Sequence, residues 1–159
     1  MDRVVGAIFA IFTMVLVGGW ESEATPMPHT PQKSTPMAQT FQVTSGYGYR
    51  SDPFTGRKRM HKGIDLAAPK GTPVKARASG VVTYAGRRGS YGKIVEIDHG
   101  THRTRYAHLS RIKVRSGQSV TPDQIIGLVG STGRSTGPHL HLEVLVDGKQ
   151  TNPKKFLNI

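Results

Sequence analysis

Two short patterns of metal-binding side chains, far apart in the sequence, constrain the fold of this chain more than any other feature. His61 and Asp65 form an H-x-x-x-D pattern, and His139 and His141 form an H-x-H pattern. Imidazole and carboxylate are the ligands that zinc prefers where no thiolate is offered, and the chain has no cysteine. A hydrolytic zinc site takes about three protein ligands and leaves one position for water. We therefore predict that the fold brings the two patterns together around one zinc ion.

The spacing within each pattern is compatible with side chains that converge. In an extended strand, residues two apart lie on the same face, so His139 and His141 should point the same way. His61 and Asp65 are four residues apart and can converge in either an extended or a helical segment. The four candidates exceed the three ligands needed, so one of them, together with His108, is left for proton transfer. The spacing does not decide between His139 and His141.

From residue 41 onward the chain is predicted to form short β-strands. Apolar and β-branched runs alternate with glycine-rich turns, and no segment shows a helical period over about eleven residues. Residues 94–98 and 103–108 flank a short connection and form a hairpin candidate. The pattern predicts an all-β domain over residues 41–159, built as a mostly antiparallel β-sandwich or barrel. A faint internal repeat also relates residues 71–82 to residues 117–129.

The first forty residues are predicted to lie outside this domain. Residues 4–19 form an apolar run that is short for a membrane span, which needs about 20 residues. We predict an apolar helix that serves as a signal peptide or membrane anchor within residues 1–24, and hence export to the periplasm or cell envelope, either secreted or anchored to the inner membrane. Residues 25–40 contain four prolines and almost no large apolar side chain, so they are predicted to be a linker.

The formal net charge of +12 predicts attraction to polyanions. For an exported chain these are anionic cell-wall or envelope polymers, and the alternative is that the basic residues form an ordinary solvated surface. No aromatic-interleaved nucleic-acid motif is present, so no nucleic-acid partner is expected. At 159 residues the chain has room for one folded domain, and we expect a monomer.

Three motifs together resemble a known family. Residues 61–69 (HKGIDLAAP), 106–110 (YAHLS) and 133–143 (GRSTGPHLHLE) are similar, in the same order, to the three signatures of lysostaphin-type, or LytM-domain, zinc endopeptidases. The resemblance covers about residues 43–157. It implies the LytM-type fold with its duplicated hybrid motif, one zinc ion per chain, and hydrolysis of the peptide cross-links of bacterial peptidoglycan, as in a DD-endopeptidase.

The resemblance also implies a role for each candidate side chain. By its motifs, His61, Asp65 and His141 bind the zinc. His108 and His139 then assist the attack of water on the scissile carbonyl and act on the substrate. This assignment of His141 rather than His139 as the third ligand comes from the family alone.

For two residues near these candidates and for one segment, the sequence leaves two interpretations open. Glu143, two residues after His141, either orients the zinc-bound imidazole as a hydrogen-bond acceptor or pairs with a nearby basic side chain. Tyr106, two residues before His108, should share its face and either line the cleft or pack beneath it. The glycine- and aromatic-rich run at residues 45–56 is similar to a loop of family members that act on D-amino-acid cross-links. It forms either a wall of the substrate groove or an ordinary surface loop.

Two other classes of protein are alternatives to an enzyme for this sequence. A zinc-free LytM-fold activator of cell-wall amidases would share the fold but lack ligands, whereas here every ligand position is filled. A lipoyl- or biotinyl-type carrier, which the internal repeat also suggests, needs a lysine at an exposed hairpin tip, and the turn at residues 78–80 has none. The sequence therefore predicts a zinc endopeptidase.

Overall fold

The computed structural model describes residues 41–157. The predicted signal or anchor segment and the predicted linker lie outside the described residues. In the described part of the chain, no helix is long and apolar enough to cross a membrane. The strands are β1 (Gln42–Ser45), β2 (Gly48–Ser51), β3 (Lys58–His61), β4 (Ile64–Ala67), β5 (Pro73–Lys75), β6 (Gly80–Arg88), β7 (Gly92–Asp98), β8 (Arg103–Leu109), β9 (Arg111–Ile112), β10 (Ser119–Val120), β11 (Ile125–Leu128), β12 (His139–Val146) and β13 (Lys149–Thr151). A 3-10 turn (Gly89–Tyr91) precedes β7, and the short helix α1 (Lys154–Leu157) follows β13.

One large sheet carries most of the domain. Its strands follow the order β1-β4-β12-β8-β7-β6-β10, with β13 paired to the end of β12. A three-stranded sheet has the order β5-β11-β9, and β2 and β3 form a separate hairpin. Every pairing is antiparallel, which confirms the predicted all-β class. The predicted hairpin is also confirmed, since β7 pairs with β8.

Strand alternation separates the core from the site. In β4, Ile64 and Leu66 are buried in the apolar core, so Asp65 between them points to the opposite face. In β12, Leu140 and Leu142 are fully buried in the same core. Burying each such large apolar side chain contributes about 1.5–3 kcal/mol. A slip of one residue would expose this set and turn the polar set inward, so the core holds the site face in place.

The internal repeat corresponds to strands that pair with one another. Each repeat contributes two strands, β5 and β6 in the first and β10 and β11 in the second. The first strand of each repeat pairs with the second strand of the other, because β5 pairs with β11 and β10 pairs with β6. The two repeats therefore form one unit in which neither can complete its pairing alone.

A bulge in β8 separates two residues that regular alternation places together. Tyr106 is fully buried in the core and does not line the cleft, and its hydroxyl accepts a hydrogen bond from the backbone N–H of Arg77 (3.1 Å). His108 instead lines the cleft. The β7–β8 register shifts between Lys93 and Val95, and His108 has a φ of 61°. A left-handed conformation is unfavourable for a residue with a side chain, at about 1–3 kcal/mol, and such residues cluster at functional sites.

Candidate metal centre

Three side chains from three strands converge on one point. His61 ends β3, Asp65 lies in β4, and the β4–β12 register places His141 directly opposite Asp65. The Oδ1 atom of Asp65 is 3.1 Å from Nε2 of His61 and 2.8 Å from Nδ1 of His141. The two ring nitrogens are 3.2 Å apart. These are the three residues that the family motifs imply as ligands.

Gly63 permits this close approach. A Cβ atom at this position would lie 2.3 Å from the backbone oxygen of Leu142 and 3.0 Å from the ring of His141. Real side chains do not tolerate the first distance, so a larger residue would push β12 away from the segment that carries His61 and Asp65. Close packing against β12 therefore explains why the middle residue of the H-x-G-x-D pattern is a glycine.

The second nitrogen of each imidazole is already bonded. Nδ1 of His61 lies 2.6 Å from the backbone oxygen of Gly46, and a carbonyl can only accept, so Nδ1 carries the proton. Nε2 of His61 then presents its lone pair to the other two residues. Nε2 of His141 lies 3.2 Å from Oε1 of Glu143, so its Nδ1 presents a lone pair in the same way. Two ring lone pairs and a carboxylate oxygen at one point fit a zinc ion.

Glu143 both contacts the imidazole of His141 and pairs with a basic side chain, so both interpretations of its position hold. Its side chain is 1% exposed and contacts His141, the hydroxyl of Tyr91 (2.8 Å) and Nη1 of Arg105 (3.2 Å). Burial opposes its ionisation, but hydrogen bonds from His141, Tyr91 and Arg105 lower the pKa of Glu143 overall. Arg105 also lies 2.9 Å from Glu96. The carboxylate that orients His141 is therefore held by a buried charge network.

The electrostatics of the cluster favour a bound cation. Burial raises the pKa of Asp65, but hydrogen bonds from His141 and His61 outweigh it and hold that pKa well below its usual range. Burial lowers the pKa of His141, but its hydrogen bonds to Asp65 and Glu143 raise it to about 8. Asp65 is thus ionised at neutral pH, and a proton and a cation compete for Nδ1 of His141.

The two remaining histidines stand beside this cluster. Nδ1 of His139 lies 2.8 Å from the backbone oxygen of Gly137, and Nδ1 of His108 lies 2.7 Å from that of Thr132. Each ring therefore presents Nε2 as an acceptor, and the ring centroids are 4.8 Å apart. Nε2 of His139 is 3.6 Å from Oδ1 of Asp65. Burial lowers the pKa of His108 to about 4, so that ring is neutral at neutral pH.

All five predicted site residues line one cleft of about 510 Å³. Within the run at residues 45–56, five residues also line this cleft: Ser45, Arg50, Asp52, Pro53 and Phe54. Sequence reasoning missed Arg50, whose Nη2 lies 3.0 Å from Oδ2 of Asp65. It also missed the contact of Tyr91 with Glu143. Neither has a local signal in the sequence, because the two residues of each pair lie on different elements, β2 and β4 for Arg50 with Asp65, and the 3-10 turn and β12 for Tyr91 with Glu143.

Comparison with known proteins shows the family to which this chain is related. The profile of Peptidase family M23 matches residues 59–153. The chain is 50% identical over 119 residues to the DD-carboxypeptidase/endopeptidase Mpg of Neisseria meningitidis, covering 74% of this chain and 27% of that protein. It is 44% identical over 122 residues to the peptidoglycan DD-endopeptidase ShyA of Vibrio cholerae, covering 76% and 28%. The chain thus spans about a quarter of the length of these relatives.

Solved structures show the same fold. The catalytic domain of the antimicrobial peptidase lysostaphin from Staphylococcus simulans is 37% identical, with a TM-score of 0.69, and the match covers 75% of this chain and 93% of that domain. A zinc-containing peptidase from Vibrio cholerae is 43% identical, with a TM-score of 0.66, and the match covers 71% of this chain and 36% of that protein. The predicted LytM-type fold is confirmed.

Proposed function

This chain belongs to Peptidase family M23, and from that membership we propose that it is a zinc-dependent endopeptidase that hydrolyses peptide cross-links of bacterial peptidoglycan. The observation that carries the proposal is the convergence of His61 Nε2, Asp65 Oδ1 and His141 Nδ1, each within about 3 Å of the others. The substrate class is supported by the names of the relatives, which include a peptidoglycan DD-endopeptidase. The preference for zinc over other cations is supported by the two imidazoles and one carboxylate.

In the proposed reaction, zinc held by these residues supplies a Lewis acid that polarises a carbonyl oxygen and makes water more acidic. The chain's own side chains supply orientation and proton transfer. Glu143 fixes the tautomer of His141, and the Gly46 carbonyl fixes that of His61. Nε2 of His108, on a ring that burial keeps neutral, is available to accept a proton from the attacking water.

His139 completes the proposed proton-transfer pair. Its ring is held by the Gly137 carbonyl and lies beside that of His108, so its Nε2 also faces the cleft as an acceptor. A second acceptor lets one histidine take the proton of the water while the other orients the water or the substrate. The proton then passes to the leaving amine when the peptide bond breaks.

The test is mass spectrometry of muropeptides released from purified sacculi by the zinc-loaded protein. We expect cross-linked dimers to be converted to monomers by cleavage of a peptide bond, and the masses identify that bond. The matched control is His141→Ala, which should release nothing. Release only after a cell-wall amidase is added, with glycan–peptide rather than cross-link cleavage, would support the amidase activator instead.

We also propose that the protein acts in the cell envelope, either secreted or anchored to the inner membrane by residues 4–19, as a monomer that contacts anionic envelope polymers. The support is the net charge of +12 together with the substrate of its relatives. Binding of the protein to isolated cell wall should weaken steeply as salt rises, because exposed charges are screened beyond about 8 Å at physiological ionic strength. Salt-insensitive binding would contradict a contact through the basic surface.

A further inference from the structure

Two loops beside the metal ligands are joined by an ion pair. The first, residues 52–57, connects β2 to β3, which ends at His61. The second, residues 130–138, leads into β12, which begins with His139. Nη2 of Arg134 in the second loop donates to Oδ1 of Asp52 in the first at 2.7 Å, although the two residues are 82 apart in sequence. Both side chains line the same cleft as the ligands.

The side chain of Asp52 is buried and accepts several hydrogen bonds. Its side chain is 6% exposed, and Oδ1 accepts hydrogen bonds from the backbone N–H groups of Phe54 (2.9 Å) and Thr55 (3.0 Å). Oδ2 lies 3.3 Å from Nη1 of Arg59. Burial opposes ionisation, but these backbone and arginine contacts, with the charge of Arg134, lower the pKa of Asp52 to about 2. The residue is therefore a fixed negative charge within the cleft wall.

One negative charge does not balance the cations around it. Within residues 41–157, Asp52 is the carboxylate that pairs with both Arg59 and Arg134, and neither arginine has a second acidic partner there. Lys62, also on the cleft, has no acidic partner within the same range. Arg50 differs, because its guanidinium is bound to Asp65. The cleft wall thus carries a surplus of positive charge at Arg134 and its neighbours.

Arg134 is held in place rather than free to move. Its guanidinium carbon lies 4.5 Å from the centroid of the Phe54 ring, and such a cation–π contact restrains the plane of the group. The guanidinium has five N–H donors, of which the Asp52 bond uses one. The side chain is 37% exposed and faces the cleft. A planar, pre-oriented fork with free donors is suited to bind a carboxylate through two parallel hydrogen bonds.

We propose that Arg134 binds a carboxylate of the substrate, so that this enzyme prefers cross-linked peptides with a free carboxylate in the segment that fills the cleft. Asp52 and Phe54 are positioning residues that hold the guanidinium. The inference rests on the proposed function and adds a determinant of substrate choice that the metal ligands do not provide.

The experiment compares two synthetic cross-linked peptides that differ only in one group, a side-chain carboxylate in the first and a carboxamide in the second. The zinc-loaded full chain should cleave the carboxylate form with a kcat/KM about 10–100-fold higher, as expected for hydrogen bonds to a charged group. Arg134→Gln should cleave both peptides alike, at about the rate of the wild type on the carboxamide. Its zinc content should be that of the wild type.

The matched control is Arg57→Gln, which removes the same charge from an exposed position in the first loop and should keep the full preference. Asp52→Asn should reduce the preference through KM, because it frees Arg134 without removing it. If Arg134→Gln does not fold, Arg134→Lys decides, since it keeps the charge but loses the fork and should show a weaker preference.

Each outcome separates the two proposals. A wild type that cleaves both peptides equally, or an arginine variant that keeps the full preference, would overturn the carboxylate site and leave the endopeptidase intact. A zinc-loaded wild type that cleaves neither peptide nor sacculi would overturn the proposed function and with it the carboxylate site.

Discussion

Nε2 of His61 and Nδ1 of His141 lie 3.2 Å apart, although 80 residues separate the two histidines in the chain. Each ring uses its other nitrogen in a bond to an acceptor, the Gly46 carbonyl for His61 and the Glu143 carboxylate for His141. Two facing lone pairs repel unless a proton or a cation lies between them. The carboxylate of Asp65 adds negative charge at the same point, so the arrangement favours a cation.

The first prediction concerns metal content. The wild type should carry about one zinc per chain, and His61→Ala, Asp65→Ala and His141→Ala should each lose it, because two protein donors are too few for stable zinc binding. Metal analysis of purified proteins, with thermal unfolding to show that each is folded, provides the measurement. Full zinc occupancy in all three variants would refute the site.

The second prediction separates metal binding from proton transfer. His108→Ala and His139→Ala should keep their zinc but lose about 10²–10⁴-fold in turnover, which is the usual contribution of a positioned acid or base. Zinc content and turnover are measured on the same samples. If His139→Ala loses the metal and His141→Ala keeps it, the roles within H-x-H are reversed.

The third prediction concerns pH and Glu143. The pKa of His141 is raised to about 8, so below that pH a proton must leave Nδ1 before zinc can bind. Zinc affinity should therefore be highest above about pH 8 and fall as the pH drops. Glu143→Gln removes a charge that raises this pKa, so the decline should begin at a lower pH. The same variant should bind zinc about 10–100-fold more weakly at high pH.

Competition with a chelator over a range of pH measures both effects. Asp98→Asn, which changes a half-buried carboxylate that is paired with Arg103 and does not line the cleft, is the control and should match the wild type. An affinity that does not vary with pH, or a Glu143→Gln profile identical to that of the wild type, would contradict the prediction.

The fourth prediction concerns the boundary at residue 41. Removing residues 1–40 should leave a folded, zinc-binding and active hydrolase, because the proline-rich stretch has too few apolar groups to contribute to a core. Peptidoglycan turnover and thermal unfolding of the shortened protein, beside the full chain, are the measurements. A shortened chain that is unfolded or free of zinc would place part of residues 25–40 within the domain.

Local sequence was sufficient for the class of fold and for the set of candidate ligands. Strand alternation is a property of the backbone, so His139 and His141 had to share a face wherever β12 was placed. The apolar residues between the polar ones, such as Leu140 and Ile64, determined which face turns to the core. The glycine-rich turn sequences between short apolar runs were likewise enough to predict an antiparallel β domain.

Tertiary structure decided the rest, because it depends on register and backbone geometry between strands that are distant in sequence. The β4–β12 register places His141, rather than His139, opposite Asp65. The bulge in β8 turns His108 into the cleft and leaves Tyr106 in the core, against regular alternation. The pairing of Asp52 with Arg134 exists only once two separate loops meet. Spacing along the chain carries no information about such contacts, since they arise when the sheet assembles.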